Sequence, residues 1–337
     1  MGIKLQKGRL NLISDVPGIR VGHCTLNNGE TQTGVTVILP SEANPFVYKL
    51  VAACHVLNGY GKSMGLMQIE ELGTLETPIA LTNTLNVGLV HDALVQYMID
   101  RNRSEGEKPV YSVNPVVMEC NDSRLNNIQH RAVGHAEVRE AFENAKREFK
   151  LGAVGAGRGT ICYGLKGGIG SASRIMEIGG TAYTLGILVQ TNYGSMGDLR
   201  INGQPVGETL TESEDRGSII MVVATDLPLS ARQLKRVIKR ASVGMARLGS
   251  YIGHGSGEVM VGFTTADPID GDQIFQNRQT LREDLLNIPF RAVGECCEEA
   301  ILRSMLEAET VAGFRGNRVE CLKDALKRKG IPWDDLC

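Results

Sequence analysis

GSYIGHGSGEVMVGF, residues 249–263, joins a glycine-rich run to an alternating apolar segment that is typical of a β-strand. At the point where the flexible run ends, the chain places Ser256 between two glycines. A hydroxyl on the first residue of a strand is held firmly and still lies at an open strand end, which suits a nucleophile. The stretch therefore predicts a rigid strand with a reactive or a turn-forming serine at its start.

Three interpretations of Ser256 compete. In the first, residues 253–258 are only a turn, because Gly and Ser favour turns through backbone freedom and local hydrogen bonds. The second, a G-x-S-x-G nucleophile elbow, does not fit, because Glu258 replaces the last glycine and the serine precedes a strand instead of opening a helix.

The third interpretation is self-cleavage of the chain. The Ser256 hydroxyl attacks the carbonyl of Gly255, a residue whose missing Cβ permits unusual backbone geometry. Hydrolysis of the resulting ester makes Ser256 a new N-terminus. Its α-amine, whose unperturbed pKa is about 7.7–8.0, then serves as the base for its own hydroxyl.

The composition limits the partners. The 337 residues include 36 Lys and Arg and 38 Asp and Glu, a near balance that argues against a nucleic-acid or anionic-membrane partner. The N-terminus lacks a signal-peptide pattern and no segment reaches the length of a membrane span, so we expect a cytoplasmic protein. Eight scattered cysteines and six dispersed histidines lack zinc spacing, which predicts reduced, partly buried thiols and no metal site.

The order of elements predicts one layered α/β unit over residues 1–337, in which helices cover sheets. Apolar runs predict strands at 34–39, 79–82, 182–190, 218–224 and 258–263. Helical spacing predicts helices at 91–99, 136–149 and 290–306, and one from a capping box at Ser230 to 248. The polar segment 100–109 is predicted as a loop.

Many motifs in order resemble those of one family, the DmpA-type aminopeptidases and β-peptidyl aminopeptidases, which are self-processing serine enzymes. They are ISDVPGIRVGHCTL (13–26), TGVTVILP (33–40), LGTLETPIALTNTLNVG (72–88), PVVMECNDSRLN (115–126), CYGLKGGIGSASR (162–174), VQTNYG (189–194), INGQPVG (201–207), VVATDLPLSARQLKR (222–236) and GSGEVMVGFTTA (255–266). The resemblance implies a four-layer αββα sandwich. It also implies a cut between residues 255 and 256, giving a larger chain, 1–255, and a smaller one, 256–337.

The resemblance also implies catalytic roles. Ser256 is the nucleophile and Gly255-Ser256 is the cleaved bond. Asn192 matches an asparagine whose amide stabilises the developing oxyanion, although an Asn before Tyr-Gly is also a common turn residue. Tyr163 donates to the same oxygen or shapes the pocket, and its alternative is a buried ring with a satisfied hydroxyl.

Substrate contacts follow from the same likeness. Glu119 matches a carboxylate that faces the free amino group of the substrate, which confines the enzyme to N-terminal residues. Asp122 and Asn126 brace that loop, with solvated turn residues as the alternative. Lys166 is expected beside the active serine, in a glycine loop that lacks the spacing of a phosphate or dinucleotide cradle.

The segment 281–301 departs from the family pattern. Alignment on Phe290 puts Arg282 where relatives commonly carry a serine or another small residue, and Asp284 where they carry an acid. Asp284 is predicted to pair with the Ser256 ammonium. Arg282 cannot accept a proton as a small hydroxyl can, so efficiency, specificity and processing are in question.

We therefore expect an N-terminal-nucleophile hydrolase that releases N-terminal residues from small peptides, amides or esters through an acyl-enzyme on Ser256. It needs no cofactor or metal. Two alternatives remain at this point: an uncleaved, non-catalytic binding or assembly relative of the same fold, and an acyltransferase. The family likeness also implies a closed homo-oligomer such as a tetramer.

Overall fold

The computed structural model describes residues 5–210 and 217–336. Its strands are β1 Arg20–Asn28, β2 Thr31–Leu39, β3 Tyr48–Gly59, β4 Thr74–Leu75, β5 Ile79–Asn83, β6 Val116–Cys120, β7 Ile161–Cys162, β8 Leu165–Lys166, β9 Gly168–Ile178, β10 Thr181–Asn192, β11 Gly217–Thr225, β12 Ser256–Asp270, β13 Val311–Ala312 and β14 Arg318–Val319. Its α-helices are α1 Leu66–Leu72, α2 Val87–Glu105, α3 His135–Glu143, α4 Ala231–Ile238, α5 Ala241–Arg247, α6 Asn287–Leu306 and α7 Leu322–Lys329.

Two sheets dominate the described part of the chain. A four-stranded sheet has the order β1-β2-β5-β6, and a six-stranded sheet has the order β4-β3-β12-β11-β10-β9. The pairs β5/β6 and β11/β12 are parallel, and the other neighbours in these sheets are antiparallel. The strand that begins at Ser256 therefore lies in the middle of the larger sheet.

The two sheets stack face to face. Their inner faces share one buried apolar core, which includes Ile38, Leu81, Met118, Leu188, Ile220, Val222 and Val261. These residues alternate along their strands with others that point outward, as the pleat of a strand requires. The central core of the molecule is thus a sandwich of two sheets.

Helices cover both outer faces. Helices α2 and α3 pack on the four-stranded sheet through a core that includes Val35, Val37, Val90, Leu94 and Val138. Helices α4 to α7 cover the six-stranded sheet through a core that includes Met221, Val223, Leu234, Met245, Met260, Val293, Ile301 and Leu326. The layers run helix, sheet, sheet, helix, so the predicted αββα fold is confirmed.

The predicted strands are confirmed, but the helix predicted from Ser230 is two helices. Its capping box is present: Ser230 Oγ accepts from the Gln233 N–H at 3.2 Å, and Gln233 Oε1 accepts from the Ser230 N–H at 3.1 Å. Helix α4 packs on β3 and β12, whereas α5 crosses α6 so closely that a Cβ on Gly244 would lie 2.5 Å from Glu298 N. The chain turns between the helices to make both contacts.

Two other helix ends differ from the prediction for tertiary reasons. Helix α3 ends at Glu143, because the backbone of Lys146 pairs with Val21 on β1 and Phe149 is buried against the inter-sheet core. Helix α2 continues to Glu105 into the predicted loop, where Arg101 and Glu105 form an ion pair one turn apart.

The described ranges contain no helix with the length and apolar character that crossing a membrane requires. Seven of the eight cysteines lie in these ranges, and all seven are buried and outside any disulfide, as predicted. Burial raises the pKa of the Cys54 thiol to about 11, with the nearby Glu70 adding to the effect. Such thiols are poor nucleophiles at neutral pH.

Candidate active site

Ser256 begins the central strand β12. It pairs in register with Gly217, the first residue of the parallel strand β11, and its N–H donates to Gly253 O at 3.1 Å. The Ser256 residue is only 2% exposed in the continuous chain. A substrate carbonyl cannot reach a hydroxyl that is covered in this way, so access requires the preceding segment to move.

One side chain holds the loop before the serine. Asn58, at the end of β3, places Nδ2 3.0 Å from Gly253 O and 3.3 Å from His254 O, and within hydrogen-bonding distance of Ser256 O. By contrast, a Cβ on the exposed Gly255 would meet open space. The bond between residues 255 and 256 is thus held from the β3 side and open to solvent on the other.

The hydroxyl of Ser256 faces a carboxylate that the sequence prediction missed. Ser256 Oγ donates to Glu258 Oε1, and the Glu258 residue is fully buried. Residues i and i+2 of a strand lie on the same face, which brings the two side chains together. The available signal was an acid inside an otherwise apolar strand, two residues after the serine.

Beside this serine lies a cavity of about 870 Å3. Its walls come from the segments that follow β3 and β5, from the ends of β6 and β10 with the loops after them, from the start of β11 and from the loop before β12. They include Tyr60, Lys62, Thr84, Glu119, Asn192, Gly194, Gly217, Ser218 and Gly255. The cavity therefore combines a carboxylate, an amide and Gly255, the residue before the serine, in one space.

Glu119 lies in the wall of this cavity at the end of β6 and is 2% exposed. Its Oε1 accepts the Lys62 N–H at 3.0 Å, and its Oε2 accepts from the Thr84 hydroxyl. Lys62 follows β3, whose Gly59 pairs with Gly257, so a short stretch of chain fixes the carboxylate relative to the serine. A held carboxylate in a cavity wall is suited to bind an ammonium group.

Asn192 ends β10, two strands away from Ser256. Because the Ile161 N–H can only donate, its 2.9 Å contact requires Asn192 to present Oδ1 to it. The other amide atom, Nδ2, then lies toward Gly217, whose Cβ, if present, would be 2.8 Å away. Strand spacing separates the backbones of Asn192 and Ser256 by about 10 Å. The amide thus offers donors to the cavity next to the residue paired with Ser256.

Lys166 does not line the cavity, in contrast to the prediction. It is fully buried, and its Nζ donates to the carbonyl oxygens of Gly157 at 2.9 Å, Thr160 at 2.8 Å and Gly167 at 2.7 Å. Burial and the nearby positive charge of Arg158 lower the pKa of Lys166 to about 7. Its amino group organises the glycine loop and lies outside the cavity.

A single peptide group, between Thr160 and Ile161, links Lys166 to Asn192 in the cavity wall. The Lys166 amino group binds the carbonyl of Thr160, and the N–H of the same peptide, on Ile161, donates to Asn192 Oδ1. Hydrogen bonds arranged in a chain polarise one another. Lys166 therefore positions the Asn192 amide from behind.

Asp122 also lies behind the cavity wall. It is 1% exposed, and its carboxylate accepts from Thr33 Oγ1 at 2.6 Å and from Asn126 Nδ2 at 3.0 Å. Burial raises the pKa of Asp122 to about 7, although both hydrogen bonds oppose this shift. Asp122 and Asn126 brace the loop after β6, and the solvated alternative is wrong for both buried residues.

Tyr163 is a buried ring that shapes the pocket. Its hydroxyl lies 3.5 Å from that of Tyr193, and a Cβ on Gly194 would lie 2.6 Å from the Tyr163 ring. Gly194 and Gly164 line the cavity, whereas Tyr163 lies directly behind them. The ring therefore sets the position of the cavity wall.

The structure does not bring Asp284 to Ser256. The Leu281 N–H donates to Pro228 O at 3.1 Å, just beyond Thr225 at the far end of β11. Ser256 pairs with the first residue of that strand, roughly 26 Å away at the rise of an extended chain. Asp284 instead forms an exposed two-point ion pair with Arg282, which lowers the pKa of the Asp284 carboxyl. The predicted pairing of Asp284 with Ser256 is therefore wrong in this structure.

The family model for peptidase family S58 matches residues 11–319. The chain belongs to peptidase family S58. Among curated relatives, the β-peptidyl aminopeptidase BapA of Sphingosinicella microcystinivorans is 37% identical over 94% of this chain and 87% of its own. The predicted DmpA-type family is thereby confirmed.

Solved structures of similar proteins share the fold. The PH0078 protein of Pyrococcus horikoshii OT3 is 44% identical, covers 98% of each chain and has a TM-score of 0.90. The L-aminopeptidase D-Ala-esterase/amidase of Ochrobactrum anthropi, described as a prototype of the serine aminopeptidases and a variant of the Ntn hydrolase fold, is 34% identical with a TM-score of 0.89, over 98% of this chain and 97% of its own. This S58 chain is a serine aminopeptidase in class, as the sequence analysis predicted.

Proposed function

We propose that the chain is a self-processing serine aminopeptidase and amidase that works through Ser256. Cleavage between residues 255 and 256 yields the chains 1–255 and 256–337 and frees the α-amine of Ser256. The observation that carries this proposal is a serine on the first residue of a central strand, next to a cavity lined by Glu119 and Asn192. Ser256 is buried in the continuous chain, so cleavage, which frees the segment before it, activates the enzyme.

The catalytic cycle needs no group from outside the chain other than water. The free α-amine of Ser256 accepts the hydroxyl proton while Oγ attacks the substrate carbonyl. Asn192 Nδ2 stabilises the oxyanion of the tetrahedral intermediate. The amine then protonates the leaving nitrogen, and water hydrolyses the acyl-enzyme.

The substrates we propose are small peptides, amides and esters with a free amino group. Glu119 supplies the anion that binds this group as an ammonium, and the cavity of about 870 Å3 has the size of a small-molecule site. The names of the relatives, which describe β-peptidyl aminopeptidase and L-aminopeptidase D-Ala-esterase/amidase activities, support the same substrate range. Transfer of the acyl group to another amine is a second outcome wherever water is excluded.

Replacing Glu119 with glutamine should impair recognition of the free amine. Gln keeps the shape and can still accept the Lys62 N–H, while the Thr84 hydroxyl can accept from the new amide. Loss of one charge-assisted hydrogen bond predicts a fall in kcat/KM of about 10- to 100-fold for a free-amine dipeptide amide.

The informative comparison uses the same amide with an acetylated N-terminus. The wild-type enzyme should strongly prefer the free amine, and the E119Q variant should lose most of this preference. Equal wild-type rates on both substrates would remove the proposed amine contact.

We also propose a closed homo-oligomer, such as a tetramer, in the cytoplasm. Family likeness and the exposed apolar pair Ile274 and Phe275, at 89% and 88% exposure, support association. The seven buried thiols, none of which forms a disulfide, suit a reducing compartment. Light scattering of the purified protein should give a mass that is a multiple of 36.5 kDa, and a strictly monomeric mass would refute association.

A further inference from the structure

Self-cleavage poses a chemical problem that later turnover does not. Before the bond between Gly255 and Ser256 breaks, the nitrogen of Ser256 is an amide and has no basic lone pair. The amine that activates the hydroxyl in the mature enzyme therefore does not yet exist. Another group must accept the proton of Ser256 Oγ in the first reaction.

We infer that Glu258 is the general base for self-cleavage, through its contact with the Ser256 hydroxyl. Ser256 Oγ already donates to Glu258 Oε1, so the proton lies on the path to its acceptor. Both side chains are on the same face of β12, and both residues are buried, which excludes bulk water as the competing acceptor. The inference rests on the proposed function and adds a residue to its first step.

The covalent steps balance with these groups alone. Oγ bonds to the carbonyl carbon of Gly255 while its proton passes to Glu258. The bond from that carbon to Ser256 N then breaks, and the nitrogen takes the proton back from Glu258. This leaves an ester between Gly255 and Ser256 Oγ and a free amine on Ser256. Water hydrolyses the ester to a Gly255 carboxylate and a free hydroxyl.

The surroundings of Glu258 favour it over other bases. Its partners in register, Ile219 on β11 and Asn58 on β3, are neutral. His254 is exposed, and its ring lies against Tyr60 with centroids 6.5 Å apart. Asp284 lies at the far end of β11, as described above. Among the described residues, Glu258 is thus the titratable group that accepts a hydrogen bond from Ser256 Oγ.

The test follows cleavage of freshly synthesised chains. Wild type, E258Q and the control E177Q are made by cell-free translation, and appearance of the 255- and 82-residue fragments (337 − 255 = 82) is timed by intact mass. Glu177 is exposed near the end of β9 and away from the site, so E177Q should cleave at the wild-type rate. E258Q should cleave about 100-fold more slowly or worse.

A chemical-rescue variant separates proton transfer from folding. In Glu258→Ala, added formate can occupy the space of the missing carboxylate and should restore cleavage in a concentration-dependent way, while circular dichroism verifies the fold. A folded variant whose slow cleavage formate leaves unchanged would assign Glu258 a structural role instead. Equal rates for wild type and E258Q would overturn the inference alone, whereas a wild-type chain that never cleaves would count against the proposed function.

Discussion

Replacing Ser256 with alanine is expected to abolish both self-cleavage and hydrolysis. Loss of a catalytic nucleophile reduces kcat on the order of 10^4- to 10^6-fold in serine enzymes, because the covalent route disappears. Here the same oxygen is required twice, first against the Gly255 carbonyl and then against substrate. The S256A protein should therefore remain a single chain and show only background turnover of a free-amine amide.

A matched control is available in Ser242. Ser242 is half-buried on α5, away from the cavity, and its hydroxyl donates to Lys239 O at 2.7 Å, so S242A should cleave and turn over normally. Both variants should be compared by intact mass and by initial rates. Wild-type turnover by S256A would locate the nucleophile elsewhere in the chain.

Loss of the Asn192 amide should have the next largest effect on the chemical step. Removal of one oxyanion donor costs about 10^2- to 10^3-fold in kcat, because the donor acts on charge that develops only in the transition state. We expect this loss in N192A with a much smaller change in KM. Steady-state rates over a range of substrate concentrations separate the two parameters.

The variant N192D tests the hydrogen-bond donor of residue 192 separately from any effect on the fold. Aspartate keeps an oxygen for the Ile161 N–H but presents a second acceptor where Nδ2 stood. N192D should therefore lose as much kcat as N192A or more, with thermal unfolding showing whether the fold is intact. Wild-type kcat in a folded N192D protein would exclude the amide from oxyanion stabilisation.

The sequence predicted those parts of the fold that depend on local patterns. Continuous apolar strands such as β2 and β11, and the capping box at Ser230, are determined by neighbouring residues, and the structure confirms them. Helix ends at Glu143 and Ile238 were not predictable in this way, because contacts with β1 and α6 determine them. Tertiary packing overrode local periodicity at both ends.

The site shows the same division between local and long-range information. Motif likeness brought Glu119 and Asn192 correctly to one cavity. The likeness misplaced Asp284, whose separation from Ser256 depends on strand order. The interpretation of the glycine loop misplaced Lys166, whose three backbone acceptors are set by the path of that loop. The sequence analysis missed Glu258, because its proposed role depends on a buried contact with Ser256. A single acid in an apolar strand does not by itself predict that contact.

The most direct test of self-processing by Ser256 combines intact mass with an activity assay on one sample of purified wild-type enzyme. The account predicts two chains, one beginning at Met1 with 255 residues and one beginning at Ser256 with 82 (337 − 255), with activity rising in step with their formation. Full hydrolysis of a free-amine amide by a chain in which residues 255 and 256 are still joined would contradict it.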